Sequence, residues 1–514
     1  MTMHRLQRMG TAVATRVLLV ALACALTATT ARSAGAPGGA LRIAQGIYPE
    51  TFNAERSTVQ DTLNVDSQIN EPLMNFNYKT HEIMPNLATS WKLTSPTTWT
   101  IEVRQGVMFT NGEAFNAEVA AWNVNWVLDP ANKAPISTDL ALAQSAKATG
   151  PYTLEVTTKQ AFPNLPLALT RVFVLPQKYY ESVGADGFAK HPVGTGPYEF
   201  VNATNGQDVV LRANPNYWGR APQIGTVTFY SITQTVQRVN ALKTGEVEIV
   251  NHLTPDLLQL VTSQPTLTVS AIPSLRLMFV ILDTTKPGPL QNNKVRLALN
   301  YAVDKQAIVR DLLRGYGKPL QGQPLSPEYF GFDQTISAFP YDPARAKQML
   351  AEAGSPASSL HLEFYAPQGR YTSDAEVAKA IAGQLQSLGI QVDLHVFDWG
   401  TFIGQFVQKK LGPMIFIGYS TQPDADIALG VERCGQAYSY FCSTDYDALL
   451  NRADRTLDTP GRLALYKQAA LIMHNTAPYI YLYQEYTIWG VSKRVQGFTT
   501  LPDERVDLSG VSVH

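Results

Sequence analysis

Arg370, Tyr371 and Trp399 are the residues of this chain best suited to holding a small molecule. A guanidinium takes a carboxylate through two parallel hydrogen bonds, and an aromatic face covers a peptide plane or a sugar ring equally well. Tyr419 and Gln422, in Tyr419-Ser420-Thr421-Gln422, add a second aromatic and an amide. None of these residues belongs to a catalytic constellation. The chain has no GxSxG, HExxH, GxxxxGK[ST] or GxGxxG, and Gly194-Thr195-Gly196-Pro197 reads as a turn rather than a phosphate cradle. His361 and His395 lie on segments that could be neighbouring strands, but two strand histidines so placed are more often structural than metal ligands. No catalytic residue, metal or cofactor is therefore expected. Cys434 and Cys442 are close in sequence and lack CxxC spacing, so they predict a local structural disulfide in an oxidising compartment. The loop-entropy model gives such a bridge roughly 2 to 3 kcal/mol.

The elements that must position these side chains follow from periodicity. Between Leu360 and Ser420 the pattern alternates: strand Leu360 to Ala366, helix Ala375 to Leu388, strand Ile390 to Phe397, helix Phe402 to Lys410, strand Met414 to Tyr419. This β-α-β-α-β unit makes a parallel sheet, and ligands of open α/β sheets sit beyond the carboxyl ends of the strands. The loops at those ends carry Arg370 and Tyr371, then Asp398 and Trp399, then Tyr419 to Gln422. Upstream, Val295, Ala298, Leu299, Ala302 and Val303 define one amphipathic helix, and Asp304 caps a second that ends before Gly315. Asp342-Pro343 to Gly354 is a third, with cap, first-turn proline and terminal glycine. Segments such as Trp99 to Val103 and Tyr152 to Val156 alternate as half-buried strands, so the N-terminal third is expected to be strand-rich with few helices. Lys286 to Pro289 resembles a short linker between lobes.

Bulk properties narrow the class. Arg5, Arg8 and Arg16 precede an apolar run from Val17 to Leu26 and the small residues Ala34-Gly35-Ala36, the order of a cleaved secretory leader over residues 1–36. The run is shorter than the roughly 18 to 20 residues of a membrane span, so the expectation is an exported, soluble, periplasmic protein. Ala21-Leu22-Ala23 puts leucine in the wrong place for a lipobox, so no lipid is expected on Cys24. Loss of residues 1–36 removes four arginines and no acid, moving the net charge from −1 to −5 and arguing against a nucleic-acid partner. At 514 residues the chain calls for several domains.

A series of phrases then matches one family in order. The chain reads Pro85-Asn86-Leu87-Ala88-Thr89-Ser90-Trp91, Val103-Arg104-Gln105-Gly106-Val107-Met108-Phe109, Val193-Gly194-Thr195-Gly196-Pro197-Tyr198 and Asn214-Pro215-Asn216-Tyr217-Trp218-Gly219. It continues with Leu242-Lys243-Thr244-Gly245-Glu246-Val247-Glu248, Val295-Arg296-Leu297-Ala298-Leu299, and Ala302-Val303-Asp304-Lys305. This resembles the extracytoplasmic solute-binding proteins of family 5, the peptide/nickel type. The resemblance implies an α/β, two-lobe periplasmic binding protein fold with an inserted strand-rich domain. Lobe I would comprise 37–72, 176–280 and 480–514, the insertion 73–175 and lobe II 281–479. It also implies a binding subunit, not an enzyme, that passes a peptide or other small molecule to the permease and ATPase subunits of an ABC importer, most simply as a monomer. Glutathione-like or opine-like conjugates, oligosaccharides and metal chelates are the rival cargoes, and a ligand sensor is the rival role. Thr58 and Gln60 align with cleft-lining positions of the family. Its aspartate anchor for a peptide amine would fall near Thr421 or Gln422, positions that carry no carboxylate, which leaves Asp424 as the nearest substitute.

Overall fold

The computed structural model describes residues 38–514, so the predicted leader and Cys24 lie outside the described residues. The backbone is organised by one mixed eleven-stranded sheet. Its two longest strands, Leu267–Leu282 and Tyr479–Ser492, are antiparallel neighbours. Both are rich in apolar residues, and Tyr479–Ser492 and the second half of Leu267–Leu282 are covered on both faces. Each belongs to both halves of the molecule. Next to Tyr479–Ser492 stand Ile249–Val250, Ala40–Gln45, Thr226–Ser231, Asp208–Ala213 and Tyr198–Thr204, which build the first half. Next to Leu267–Leu282 stand Met414–Ser420, His361–Gln368 and Gln391–Asp398, which build the second. The ladder between the long strands breaks from Pro273 to Leu277, and the chain passes there from one half to the other.

The second half follows the sequence expectation closely. His361–Gln368 pairs in parallel with Gln391–Asp398 and Met414–Ser420, joined by the helices Asp374–Leu388 and Trp399–Val407. The last helix begins three residues earlier than predicted, because Asp398 caps it by accepting from Thr401 N (3.0 Å). Asp342 likewise caps Pro343–Glu352 through Arg345 N (2.9 Å). After Asp304 the chain makes only one turn of α-helix before a π-turn over Ile308–Leu312. Lys286 to Pro289 is no linker: Lys286 is held against the carbonyls of Lys409 and Leu411, inside the second half.

The N-terminal third is strand-rich with few helices, as expected, the main ones before residue 150 being Gln60–Ile69 and Ala117–Leu128. Gln60–Ile69 escaped detection because its buried side chains include Asp61, Asn64, Asp66 and Gln68, which mask the apolar period. A separate four-stranded antiparallel sheet, in the order Ala88–Ser95, Thr98–Val103, Thr153–Thr158, Ala143–Ala148, packs on Ala117–Leu128 around its own core.

Several of the phrases that carry the family resemblance converge on one carboxylate. Glu71, 6 % exposed, accepts from Thr195 Oγ1 (2.9 Å), Tyr217 Oη (2.8 Å) and Trp218 Nε1 (2.7 Å), while Arg104 lies over the Trp218 ring at 4.4 Å. Burial pushes its pKa up to about 6 against these three hydrogen bonds and the nearby arginine. Gly194 and Gly196 let the backbone close on this node, since a Cβ there would stand 2.0 Å and 2.4 Å from the carbonyl oxygens of Ile69 and Gln68.

Candidate functional site

Register places the site. In the second half, Met414–Ser420 runs so that Tyr419 faces Leu277 and Ser420 faces Arg276, so its carboxyl end, and those of its parallel neighbours, point at the break in the long strands. In the first half, Ala40–Gln45, Thr226–Ser231 and Ile249–Val250 are also parallel. Ile249 pairs with Val491 and Val250 with Gly490, and Leu253 N then bonds Ile488 O (3.0 Å), so these ends advance toward the same break from the opposite side. Two sets of strand carboxyl ends thus face one crevice, the position ligands take in open α/β sheets.

On the second-half wall, Trp399 is half-buried, stacked on Phe402 (5.8 Å between centroids) with the Tyr371 ring edge-on (6.0 Å). Arg370 spreads over both, 5.2 Å from the Trp399 ring and 5.4 Å from Tyr371. Among the described residues it has no carboxylate within ion-pair distance. Its side chain is open to solvent, yet burial and then the nearby Arg276 hold its pKa below the usual guanidinium range, as expected on a concave wall. Tyr371 itself is buried, 8 % exposed, with its hydroxyl on Gly418 O (3.2 Å), so it supports the wall rather than lining it. Tyr419 is half-buried against Phe279.

The floor holds charges that sequence reasoning missed. Arg276 Nε lies 3.2 Å from Glu485 and its Nη2 3.7 Å from Glu504, while the other Glu485 oxygen accepts from Thr372 N (2.8 Å). The sequence signal was available: Arg276 and Glu485 are the only charged residues of two long, mainly apolar strands. Thr58 is exposed. With its amide oriented to suit both neighbours, Gln60 donates to Asp503 O (2.7 Å) and accepts from Arg505 N (3.2 Å), which ties its helix to the loop carrying Glu504.

Gln422 and Asp424 are engaged elsewhere. Gln422 Nε2 donates to Asp139 (2.8 Å), beside the four-stranded sheet. Asp424, 5 % exposed, caps Ala425–Gly430, lies 3.3 Å from Arg462 and accepts from Asn164 Nδ2 (3.3 Å). A carboxylate already held by two donors is not free to receive a ligand ammonium, which corrects the expectation that Asp424 replaces the amine anchor. His361 pairs with Asp393 (2.6 Å) and His395 stacks on Tyr365 (4.8 Å), so the two imidazoles do not converge. Cys434 and Cys442 lie with Cα atoms 4.5 Å apart, within disulfide reach.

Two halves of an α/β sheet that share two crossing strands and face each other's strand ends define a two-lobe ligand-binding protein. Residues 82–430 match the model of the bacterial extracellular solute-binding proteins, family 5 Middle, and the chain belongs to that family. A glutathione-binding protein of Salmonella typhi, GsiB, is 29 % identical over 423 residues, spanning 79 % of this chain and 81 % of that protein. The substrate-binding protein CtaP of Listeria monocytogenes superposes with a TM-score of 0.85 at 22 % identity, covering 93 % of this chain and 99 % of that one. DppA of Helicobacter pylori, solved with the peptide STSA, gives 0.76 at 24 % identity, covering 93 % and 98 %. The architecture is thus the α/β two-lobe binding protein fold.

Proposed function

We propose that this protein is the substrate-binding subunit of an ABC importer, which captures a small solute, a peptide first of all, between its lobes and delivers it to a permease whose partner ATPase supplies the energy. The observation that carries this reading is Arg370, an unpaired cation laid over Trp399 at the strand ends of one lobe. Ligand contacts from both lobes favour the closed state, and this differential affinity is what drives closure. The lobes are 37–72 with 176–280 and 480–514, and 281–479, with 73–175 inserted. The protein works as a periplasmic monomer, exported by the cleaved leader, with a Cys434–Cys442 disulfide suited to that compartment.

A second reading has a specific observation behind it. Asp424 is occupied by Arg462 and Asn164 while Arg370 has no ion-pair partner among the described residues, so recognition through ligand carboxylates is favoured, which suits a glutathione-like molecule through its two carboxylates rather than its amine. The similarity to glutathione-binding relatives supports it.

Thermal shift of the mature protein against dipeptides, longer peptides, glutathione, oligosaccharides and nickel tests both. A ligand at one hundred times its Kd stabilises by about 2.7 kcal/mol. We expect shifts with peptides or glutathione that Arg370→Ala weakens by roughly ten- to a hundredfold in Kd, since a charge-assisted hydrogen bond contributes about 1.5 to 3 kcal/mol. Stabilisation by nickel or sugars alone would overturn the peptide cargo.

A further inference from the structure

At the strand ends of the first lobe, directly after Ile249–Val250, stands His252. Its side chain is 44 % exposed, whereas Asp61, which it faces across 3.4 Å (Nε2 to Oδ1), is only 2 % exposed. Asp61 is fixed in turn: it accepts from Ile47 N (2.8 Å) and Asn251 Nδ2 (2.6 Å). The imidazole is therefore clamped on its Nε2 side and open on the other.

The backbone at His252 is left-handed (φ 49°), a region histidine tolerates better than most L residues. Arg238 stabilises that turn by donating to Asn251 O (3.3 Å) and reaching His252 O (3.4 Å). Its remaining partners, Ile232 O, Thr233 O and Thr235 Oγ1, are neutral as well. Arg238 and, when protonated, His252 thus share one buried carboxylate, with Glu504 as the other acid that acts on the imidazole, and the open side of His252 is left for a further partner.

We propose that His252 is the lobe I counterpart of Arg370, an anion-binding residue that receives a second acidic group of the ligand, so the preferred cargo is a small molecule with carboxylates at two ends. This rests on the interlobe cleft being the binding site and adds the class of ligand it takes. A molecule held by Arg370 from one lobe and His252 from the other contacts both, and only the closed state satisfies both its charges.

The groups that face His252 are Asp61 from Gln60–Ile69, Arg238 from Thr235–Thr244 and Glu504 from the terminal loop. Burial disfavours the charged imidazole and Arg238 repels it, but Asp61, with help from Glu504, outweighs both, and the pKa stands above the ordinary value. Glu504 is itself engaged by Arg276 (3.7 Å). The sign follows: the cationic, ligand-attracting form is complete at low pH and is lost as pH rises through the raised pKa. Capture of the acidic ligand weakens in the same direction.

Titration calorimetry tests this with glutathione, which carries two carboxylates, and with its glycine monoethyl ester, which carries one, across about pH 5.5 to 8, the range where histidine titrates. The variants are His252→Asn, neutral and tolerant of the left-handed backbone, and His252→Lys, charged throughout that range. Subtracting variant from wild type cancels the ligand's own titration. We expect His252→Asn to weaken glutathione binding about tenfold at the acid end and to flatten the pH dependence, a change worth about one decade in Kd. His252→Lys restores affinity without restoring the pH dependence, and the ester distinguishes wild type from His252→Asn much less than glutathione does. Wild-type affinity and pH profile in His252→Asn, or capture of neutral peptides with no effect of either variant, would overturn the inference and leave the importer reading standing. Failure of the wild type to bind any peptide or glutathione overturns both.

Discussion

The Glu71 node and the cleft wall are built from similar parts, a charged group beside aromatic rings, and differ in what is left over. At Glu71 the donors arrive from Thr195, Tyr217 and Trp218, and Arg104 covers the tryptophan, so the set is closed. At the wall Arg370 covers Trp399 and Tyr371 and finds no carboxylate within ion-pair distance among the described residues. A closed polar set rigidifies a fold, whereas an open one waits for a partner. The family phrases concentrate at the closed set, which is why they identify the fold and say nothing of cargo.

The sharpest way to break that distinction is Glu71→Ala. Removing the acceptor strands the buried Thr195 hydroxyl and the half-buried Tyr217 hydroxyl and Trp218 indole N–H, and losses of this kind cost roughly 3 kcal/mol. We expect urea unfolding to show that loss while ligand Kd, measured on the protein that remains folded, stays within about twofold. A large change in Kd with little loss of stability would show that the node belongs to the binding machinery. Arg370→Ala should behave oppositely, with stability nearly unchanged and affinity lost.

What could be read from the sequence divides along the same line. The second lobe was legible because strand and helix periods alternate cleanly from His361 to Ser420, and the carboxyl-end rule then pointed to Arg370 and Trp399. The first lobe was not. Its helix Gln60–Ile69 buries polar residues and shows no apolar stripe, and its central strand Ile249–Val250 is two residues long, below what periodicity can register. His252 and Glu504 therefore had no readable element to place them. Gln422 and Asp424 show a different limit: their partners Asp139 and Asn164 lie 283 and 260 residues away, a tertiary fact invisible locally.

Acidity gives a second, smaller test. Burial first of all raises the pKa of Glu71 to about 6 and of Asp424 to about 6, in each case above the ordinary carboxylate value. A raised folded-state pKa means that the native protein binds the proton more tightly than the unfolded chain. The contribution is therefore fully present below the unfolded pKa and is lost as pH climbs through about 6. For Glu71 the difference is at most about 2 kcal/mol. Urea unfolding at pH 5 and pH 8 should show lower stability at pH 8, and Glu71→Gln should remove part of that difference. Equal slopes for wild type and Glu71→Gln would mean that the node's hydrogen bonds cancel the burial of its charge.

The smallest effect concerns the contacts that Gln422 and Asp424 make instead of binding ligand. Asn164 lies beside the four-stranded sheet, donates to Asp424 (3.3 Å) and Asp426 (3.1 Å), and accepts from Arg462 Nη1 (2.6 Å). These bonds join segments far apart in sequence across a boundary separate from the cleft wall, so under the proposed two-lobe closure they would favour the closed arrangement without touching cargo. Asn164→Ala removes them but leaves Asp424 with Arg462, so no buried charge is orphaned, and the cost is about 1 kcal/mol. Small-angle scattering without ligand should then give a slightly larger radius of gyration than wild type, with the difference disappearing once the cleft is filled. An unchanged radius in the free protein would mean that Arg370, Trp399 and the floor charges close the lobes unaided, and the inserted sheet would have no part in the conformational balance.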